Sequence, residues 1–441
     1  MQSVRITGKP NLFLLGMLCM LITSTGIAQI NSPYSRYGIG DIYNSQNVVN
    51  KAMGGLTAPY FDYQSVNFLN PATYSRLQTV TFDIGTEYES RTIRKVNTAE
   101  KFNSQNLNFN YLALGLPLMK NKDKMTTWGM AFGLRPFSKV NYSVEENSDW
   151  SGGERIRTLY EGDGSSNKAF IGTGLRLGNF ALGLNGGFLF GQQNFTTRRN
   201  FLNDEIFYLG SSVESKTSFN RFVFDGGMHY SASLGKGTLL KLGATGFLKE
   251  NLKASRDLLQ QTFIYNAAGQ ADSLDVVDRK LNQKGSIDLP GGYSAGISLE
   301  KETRWMLGVQ YEAAQWKDFR YYGQAGNLEN TSMIRVGGFL APKITSDNQG
   351  YFSRVTYRAG FFTGKDMIVY NNQQLPVWGA TFGLTLPIRR WSSYSGQFTA
   401  IQTAFEFSQR GNKSSSFSEN VFRINVGLNL ADVWFLKRQF N

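Results

Sequence analysis

The sequence predicts an all-β protein: a 14-stranded antiparallel transmembrane β-barrel, preceded by an N-terminal hatch, a segment expected to lie inside the barrel. Apolar and polar residues alternate over runs of about ten residues from residue 79 onward, which is typical of strands with one lipid-facing and one lumen-facing side. Connections between these runs alternate between short and long. Gly (47), Phe (33) and Tyr (21) are abundant, while no apolar run after the first residues is long enough for a transmembrane helix.

The first element is a predicted signal peptide, residues 1–28. It has a basic start at Arg5 and Lys9, a short apolar run, and small residues up to Ala28, which together indicate secretion and cleavage after Ala28. A lipoprotein signal would use Cys19, but the two residues before Cys19 are large, so this alternative is disfavoured. Cleavage removes the only Cys of the chain, so the mature protein is expected to lack disulfides and thiolate metal sites.

The charge of the chain narrows the function classes further. The formal net charge is +13, and a basic chain is often a nucleic-acid binder. Here the Lys and Arg residues are scattered and form no nucleic-acid motif, and the predicted address is outside the cytoplasm. We therefore expect no nucleic-acid partner. We also expect no metal and no cofactor.

The predicted barrel spans residues 79–441. The run "SQNLNFNYLALG" places Leu107, Phe109 and Tyr111 on one face. Six short turns and seven long loops, the longest near residues 255–280, give fourteen strands, an even number as expected for such barrels. Short turns are expected to face the periplasm, and so are both termini. A soluble β-sandwich with one wet face is the alternative, and the regular alternation of short and long loops argues against it.

The predicted hatch spans residues 29–78. Its central part, "KAMGGLTAPYFDYQSVNFLNPATYSRL" (residues 51–77), has neither helical nor strand periodicity, yet it is rich in aromatic residues. Irregular backbone at membrane depth is tolerated where protein surrounds it. The segment is therefore expected to lie inside the barrel.

Apolar side chains at lumen-facing positions predict what fills the lower barrel. Alternation turns Leu112, Leu114, Met306, Phe339 and Phe352 inward, where a water-filled pore would carry polar residues. These side chains are candidates for a ligand pocket or for contacts with the hatch.

The third predicted strand is irregular. Pro136 cannot donate to a β-ladder, and Gly133 and Phe137 flank it within the same strand. This pattern predicts a bulge or kink, although a simple irregularity without function is an equal alternative.

Several short motifs, in order, resemble the FadL family of outer-membrane long-chain fatty-acid and hydrocarbon transporters. "KAMGG" contains Gly54 and Gly55, and "NPA" comprises Asn70, Pro71 and Ala72 just before the first strand. Further similar stretches are "LPGGYSAGIS", "WMLGVQYEAAQWKDF", "YRAGFF" and "FGLTLP". Residues 29–50 do not align with the better-known fatty-acid members.

The resemblance implies that the hatch plugs the barrel from the periplasmic side and that the protein takes up hydrophobic small molecules passively across the outer membrane. A ligand would enter an apolar pocket, the hatch would rearrange, and the ligand would leave sideways through a gap at the kink of Gly133, Pro136 and Phe137. The implied partners are outer-membrane lipids and an apolar ligand, and a monomer is favoured. The aromatic-rich C-terminus is of the kind that the barrel-assembly machinery recognises during insertion.

Charged side chains also occupy predicted lumen positions. Arg221, Arg354, Arg358 and Arg423 have two interpretations. They either bind an acidic headgroup or form a structural network with carboxylates such as Asp225. The structural network is favoured.

Two other functions fit parts of the sequence. Some barrels of this fold act instead as secretion-associated or structural components that bind protein partners, and nothing in the sequence excludes this role. An enzyme is disfavoured: "GYSAG" matches a nucleophile elbow, but Ser294 lies inside a predicted strand. The single His, His229, is on a non-neighbouring strand, and Asp225 is about 13 Å along the strand from His229. The acidic run at residues 272–278 is interpreted as a solvated loop rather than a Ca²⁺ site.

Overall fold

The structure is a computed structural model that describes residues 32–43, 45–96, 100–121, 126–149, 154–202, 206–342, 350–389, 398–412, 414–415 and 417–432. The predicted signal peptide (residues 1–28) and the last nine residues lie outside this part of the chain. Among the described residues, no helix is long and apolar enough to cross a bilayer.

Fourteen antiparallel strands form the wall. They are β1 Val80–Lys95, β2 Lys101–Asn121, β3 Thr126–Asp149, β4 Arg155–Leu177, β5 Phe180–Leu202, β6 Gly210–Gly235, β7 (Thr238–Phe247 and Glu250–Tyr265), β8 (Ala271–Leu289 and Gly292–Lys301), β9 Trp305–Ala314, β10 Thr331–Leu340, β11 Thr356–Tyr370, β12 Gln373–Arg389, β13 Phe398–Arg410 and β14 Phe417–Asp432. Strand β14 pairs with β1 from Phe417–Lys95 to Asp432–Val80, which closes the barrel. The predicted fold class is confirmed.

Short elements lie between or before these strands. They are the helix Val48–Lys51, the 3-10 helices Pro33–Arg36, Pro71–Arg76, Trp316–Asp318 and Tyr351–Arg354, and the two-residue strands Asp41–Ile42, Arg320–Tyr321 and Gln324–Ala325.

The wall is much taller on one side than on the other. Strands β3–β8 have 23 residues or more, whereas β9 and β10 have ten each. In β7 the outward side chains are apolar up to Leu248, and then Asn251 and Lys253 are exposed. The outer segments of β7 and β8 therefore project beyond the lipid-facing band.

The prediction of a long loop near residues 255–280 is wrong. These residues belong to a β-hairpin whose turn spans only residues 266–270. Beyond the membrane both faces of a strand contact water, so the alternation of apolar and polar residues that marks a strand is lost.

The N-terminal region lies inside the barrel and has two parts. We call residues 32–43 the strap and residues 45–78 the plug. Most plug residues are buried. Met53 and Leu56 form a core cluster with Met306 of β9, and Val66 and Phe68 form another with Tyr111 of β2.

A belt of glycines surrounds the plug. An added Cβ at each would lie within about 3 Å of a plug atom, so only glycine lets the strand and the plug approach this closely. For example, a Cβ at Gly243 would lie 1.8 Å from the carbonyl oxygen of Ala58, and one at Gly360 would lie 2.1 Å from the nitrogen of Gly54. The belt comprises Gly115, Gly129, Gly174, Gly183, Gly227, Gly243, Gly296, Gly308, Gly337, Gly360, Gly383 and Gly427, one from each of β2–β12 and β14.

Candidate functional site

The plug carries the predicted hatch residues. Gly54 and Gly55 both have positive φ (67° and 82°), the region that glycine adopts at little cost. Asn70 caps the helix Pro71–Arg76, because its side-chain oxygen accepts from the nitrogen of Ala72 at 3.2 Å. Its amide also donates to the carbonyl oxygen of Ala58 at 2.8 Å.

Wall side chains satisfy the plug backbone. The Gln310 Oε1 atom accepts from the nitrogens of Thr57 and Ala58, at 2.9 and 2.7 Å. Asn185 donates to the carbonyl oxygen of Phe68 at 3.0 Å and accepts from the Tyr74 hydroxyl at 2.9 Å. The irregular plug thus obtains from the barrel the hydrogen bonds that secondary structure would otherwise supply.

A cavity of about 450 Å³ lies above the plug. Gln46, Thr57 and Leu69 of the N-terminal region contribute to its floor. One group of lining residues is apolar and belongs to the largest core cluster: Leu189, Val223, Leu289, Trp316 and Met367. The cavity can therefore accept an apolar molecule of modest size.

The opposite side of the cavity is a network of buried ion pairs. The Arg91 guanidinium contacts Glu419 at 2.7 Å and Glu89 at 3.1 Å. Arg410 contacts Asp366 and lies 3.8 Å from Glu419. Because these charges are paired with each other, they define a fixed polar wall rather than a free cationic site.

Arg423 belongs to this network. Its guanidinium contacts Glu89 at 2.8 Å and also pairs with Glu406. Both of these contacts of Arg423 are with carboxylates, as expected of a structural network.

The other predicted network residues are distributed differently. Asp225 pairs with Lys168, while Arg221 is partly exposed and lies 3.8 Å from Glu250. Arg358 contacts Thr385 and lies 3.8 Å from Asp62 of the plug. Arg354 lies in the 3-10 helix Tyr351–Arg354, before β11 begins, and not on a lumen-facing strand position as predicted.

Three of the predicted pocket residues do not face the lumen. Asn110 is an extra residue opposite β1, where the register shifts between Gly85 and Thr86. This bulge reverses the faces of the rest of β2, so Tyr111 and Ala113 are fully buried inside while Leu112 and Leu114 face outward. Phe352 lies on the 3-10 helix before β11 and is 75% exposed.

The other two pocket candidates face inward but contact the plug. Met306 is buried against Leu56 and Tyr60, and Phe339 packs on the same cluster, with its ring 6.2 Å from that of Tyr60. They hold the plug and do not line the cavity.

The seam between β2 and β3 is open over half its length. Their ladder runs from Asn121–Thr126 only as far as Leu112–Leu134. Beyond it, β2 pairs only with β1, and β3 with β4 and the two-residue strand Asp41–Ile42, in the part of the chain that the structure describes. The closing β14–β1 ladder, by contrast, is continuous over 16 residue pairs.

The predicted kink lies where this seam opens. Gly133 still pairs with Ala113, and the register between β3 and β4 then shifts between Pro136 and Ser138. Phe137, at the shift, packs against the apolar core and lines the cavity. The cavity therefore reaches the open seam at the register shift in β3.

The strap occupies the free edge of β3. Asp41 and Ile42 pair with Lys139 and Ser138, and the nitrogen of Tyr43 donates to the carbonyl oxygen of Phe137 at 2.9 Å. Near the start of the strap, the nitrogen of Ser32 donates to the carbonyl oxygen of Asn141 at 3.2 Å. The strap thus replaces β2 as hydrogen-bond partner of this part of β3.

A smaller cavity of about 80 Å³ lies on the other side of the strap, beside the seam. Asn108 of β2 and Lys139 of β3 contribute to its lining. Asp41, Ile42 and Tyr43 line both cavities. The wall residues Arg91, Glu406 and Arg423 also line both cavities. The strap and these charged side chains together separate the large cavity from the small one.

The residues of the disfavoured hydrolase are not assembled for catalysis. His229 contacts the carbonyl oxygen of Pro59 at 3.3 Å, and Ser294 exchanges a hydrogen bond with Thr245 at 2.7 Å. The described residues contain no cluster of three or more potential metal ligands.

Sequence reasoning predicted neither the pairing of the strap with β3 nor the packing of strand glycines against the plug. The signal that identifies the belt is its position: one lumen-facing glycine recurs at the level of the plug in strand after strand.

Solved structures share this fold at low sequence identity. A Pseudomonas aeruginosa FadL homologue is 13% identical with a TM-score of 0.55, over 89% of this chain and 99% of that chain. The CymD monoaromatic hydrocarbon channel (12%, TM-score 0.54) covers 88% and 98%, and the Ralstonia pickettii toluene transporter TbuX (14%, TM-score 0.53) covers 88% and 99%. The chain is thus similar in fold to FadL-type barrels.

No curated protein matches the chain significantly. The family model described as BamG, however, matches residues 11–441. This match includes the strap, the plug and every strand of the wall. The chain therefore belongs to the BamG family.

Proposed function

We propose that the protein is a passive outer-membrane route for hydrophobic small molecules, with lateral exit between β2 and β3. The observation that carries the proposal is the open seam: the β2–β3 ladder ends at Leu112–Leu134, and the cavity reaches this point at Phe137. The proposed orientation has the short turns and both termini in the periplasm and the tall wall outside the cell.

The physical reason for a lateral exit is the cost of hydrating apolar groups. A molecule gains about 0.8 kcal/mol for each CH₂ group that leaves water. Beside the open seam, Leu107 and Phe109 face outward and are 80% and 43% exposed, as expected for a lipid contact. A molecule leaving here would enter lipid directly, without crossing water.

The shape of the cavity suggests the kind of ligand. Its volume of about 450 Å³ suits a compact hydrocarbon or part of a longer chain. The fold-related proteins include a monoaromatic hydrocarbon channel and a toluene transporter, so a hydrophobic aromatic compound is the first kind of ligand to test.

The test is uptake of the hydrophobic fluorophore N-phenyl-1-naphthylamine by cells that carry the protein in their outer membrane. Val223→Arg places a charge in the apolar side of the cavity and is expected to reduce the protein-dependent rate at least fivefold. Leu274→Arg, an exposed site on the outer hairpin, is the control and should leave the rate unchanged. Equal rates for Val223→Arg and wild type, at equal surface amounts, would contradict the proposal.

A second candidate function is supported by the tall wall. The hairpin formed by the outer segments of β7 and β8 exposes Leu274, Val276, Val277 and Leu281 beyond the lipid-facing band. Apolar side chains at such positions suit a protein partner, as expected of a structural or secretion-associated component. Photo-crosslinking in cells from Val277, compared with Lys253 on the neighbouring strand, tests this: a specific adduct only from Val277 supports it, and none from either site opposes it.

A further inference from the structure

The wall has another interruption, between β6 and β7. Their ladder runs from the short turn that joins them up to Asp225–Phe247, and it resumes only at Asn220–Lys253. The residues between these two pairs, 221–224 of β6 and 248–252 of β7, have no ladder partner across this seam. On their other sides both strands are paired, β6 with β5 and the outer segment of β7 with β8. The gap is therefore local, and the wall continues on either side of it.

A proline on the neighbouring strand accompanies the gap. Strand β8 is interrupted at Pro290 and Gly291, at the same level as the interruption of β7 at residues 248–249. Proline cannot donate to a ladder, so β7 loses a regular partner at this level. Strand β7 then returns to the β6 ladder with an extra residue, as in a β-bulge. The interruption lies at Leu248, where the lipid-facing band of β7 ends.

The large cavity reaches both faces of the wall at this gap. Asp225 and Phe247 are directly opposite each other and point into the lumen, where Asp225 pairs with Lys168. The next residues along the two strands, Phe224 and Leu248, point the other way and are exposed on the lipid side. Phe224, Asp225, Phe247 and Leu248 all line the cavity. Because neighbouring residues of a strand point to opposite faces, a cavity lined by both sets passes through the wall.

A groove on the lipid-facing side leads to the gap. Gly226 and Gly246 are directly opposite each other just below it. An added Cβ at Gly246 would meet no atom closer than 3.7 Å, and one at Gly226 none closer than 4.0 Å. The exposed aromatic rings of Phe224 and Tyr293 flank these glycines, and Tyr293 is the β8 partner of Gly246. The outer face of the wall is therefore open and apolar at this point.

The lumen side of the gap is apolar as well. Leu189, Val223 and Leu289 are buried members of the largest core cluster and line the cavity beside the gap. One ion pair spans the gap on this side: Arg221 of β6 lies 3.8 Å from Glu250 of β7. Because the nearby charges are paired, a molecule passing through the gap would contact mainly apolar side chains on both faces of the wall.

We propose that the gap between β6 and β7 is an entry site, through which the cavity takes compact apolar molecules directly from the outer leaflet of the membrane. Such molecules concentrate in lipid, because each apolar group that leaves water lowers their free energy. The groove of Gly226 and Gly246 lies within the lipid-facing band and collects them there. Entry at β6–β7 and exit at β2–β3 would then use different parts of the wall. This proposal rests on the proposed uptake function.

Filling the groove tests the entry site. Gly246→Trp places a large ring in the open groove and is expected to slow fluorophore uptake at least fivefold, at equal surface amounts and with an unchanged urea midpoint. The control, Ala380→Trp, adds the same ring to the lipid face of β12, where the ladders to Phe361 and Phe407 are unbroken, and should leave uptake unchanged. Equal uptake by the two variants would overturn the entry site while leaving the uptake proposal intact.

A second measurement does not depend on uptake. The membrane-soluble photolabel trifluoromethyl-iodophenyl-diazirine is activated in membranes that contain the protein, and labelled residues are mapped by mass spectrometry. Val223 and Phe247 on the lumen side are expected to be labelled in wild type and at least fivefold less in Gly246→Trp, while lipid-facing Phe382 is labelled equally in both. Absence of lumen labelling in wild type, or undiminished labelling in Gly246→Trp, would overturn the entry site. If wild type takes up no fluorophore, the uptake proposal fails, and the labelling alone decides whether the gap admits apolar molecules from the membrane.

Discussion

The plug and the strap are consecutive parts of one N-terminal segment, yet the barrel holds them by different interactions. The plug backbone fits against glycines from twelve of the fourteen strands and receives buried hydrogen bonds from side chains such as Gln310. The strap's residues 41–43 contact one strand edge and two arginines. Close packing from all sides fixes the plug, whereas residues 41–43 of the strap are held by a two-residue pairing with β3 and by the ion pairs of Asp41 with Arg91 and Arg410.

This difference indicates which part of the interior requires fewer broken contacts to open. Local opening requires breaking only the contacts of the segment that moves, so segments with few buried contacts open first. Opening the plug would disrupt a belt that runs around the barrel. Opening the strap would disrupt a few hydrogen bonds and one carboxylate. Under the proposed uptake function, passage therefore need not displace the plug.

The largest expected effect comes from breaking the fit of the plug. Gly243→Leu places a Cβ 1.8 Å from the Ala58 carbonyl oxygen, and neither backbone can shift freely. We expect loss of about 3 kcal/mol or more of unfolding free energy, measured as a lower urea midpoint of the folded, heat-modifiable barrel. Gly246→Leu is the matched control on the same strand, because the nearest atom to its Cβ is 3.7 Å away. Equal midpoints for the two variants would show that the belt does not hold the plug.

The fold was predictable from the sequence because a membrane barrel repeats one simple pattern. Alternation and loop lengths were sufficient for fourteen strands, and a non-periodic, aromatic segment was sufficient for a plug. The pattern failed where one residue was added: the bulge at Asn110 exchanged the faces of Leu112 and Tyr111. The bulge shifts the phase of the alternation from Leu107 and Phe109 to Leu112 and Leu114, and in the sequence alone this shift is interpreted as apolar side chains that turn inward.

The candidate site was less predictable, because its main features are pairings between distant segments. The sequence pointed to Pro136 and Phe137 as a kink, and the register shift lies there. It could not show that β2 leaves β3 at this point, or that Asp41 and Ile42 take its place. Strand pairing depends on which edges meet in space, and nothing local in the sequence encodes it.

An intermediate effect is expected from the hydrogen bonds of the plug. Gln310→Leu removes the oxygen that accepts from the nitrogens of Thr57 and Ala58 and leaves two buried donors without this partner. We expect a loss of about 2–4 kcal/mol in the same urea titration. Gln409→Leu, which removes an exposed acceptor of Trp378, should change the midpoint little. If the two variants behave alike, buried hydrogen bonds to the wall contribute little to holding the plug.

The smallest effect is expected from the anchor of the strap. Tyr34→Phe removes one hydrogen bond donated to Phe417 and one accepted from it. We therefore expect about 1 kcal/mol of destabilisation. Amide exchange in residues 34–43 should become severalfold faster, while exchange in the plug should not change. Because the folded pKa of Tyr34 is about 12 and the unfolded value is about 10, this stabilisation is complete below pH 10 and is lost as the pH rises toward 12. The stability difference between wild type and Tyr34→Phe should therefore shrink over that interval. A difference that stays constant, or faster exchange that extends into the plug, would mean that the two parts of the N-terminal segment open together.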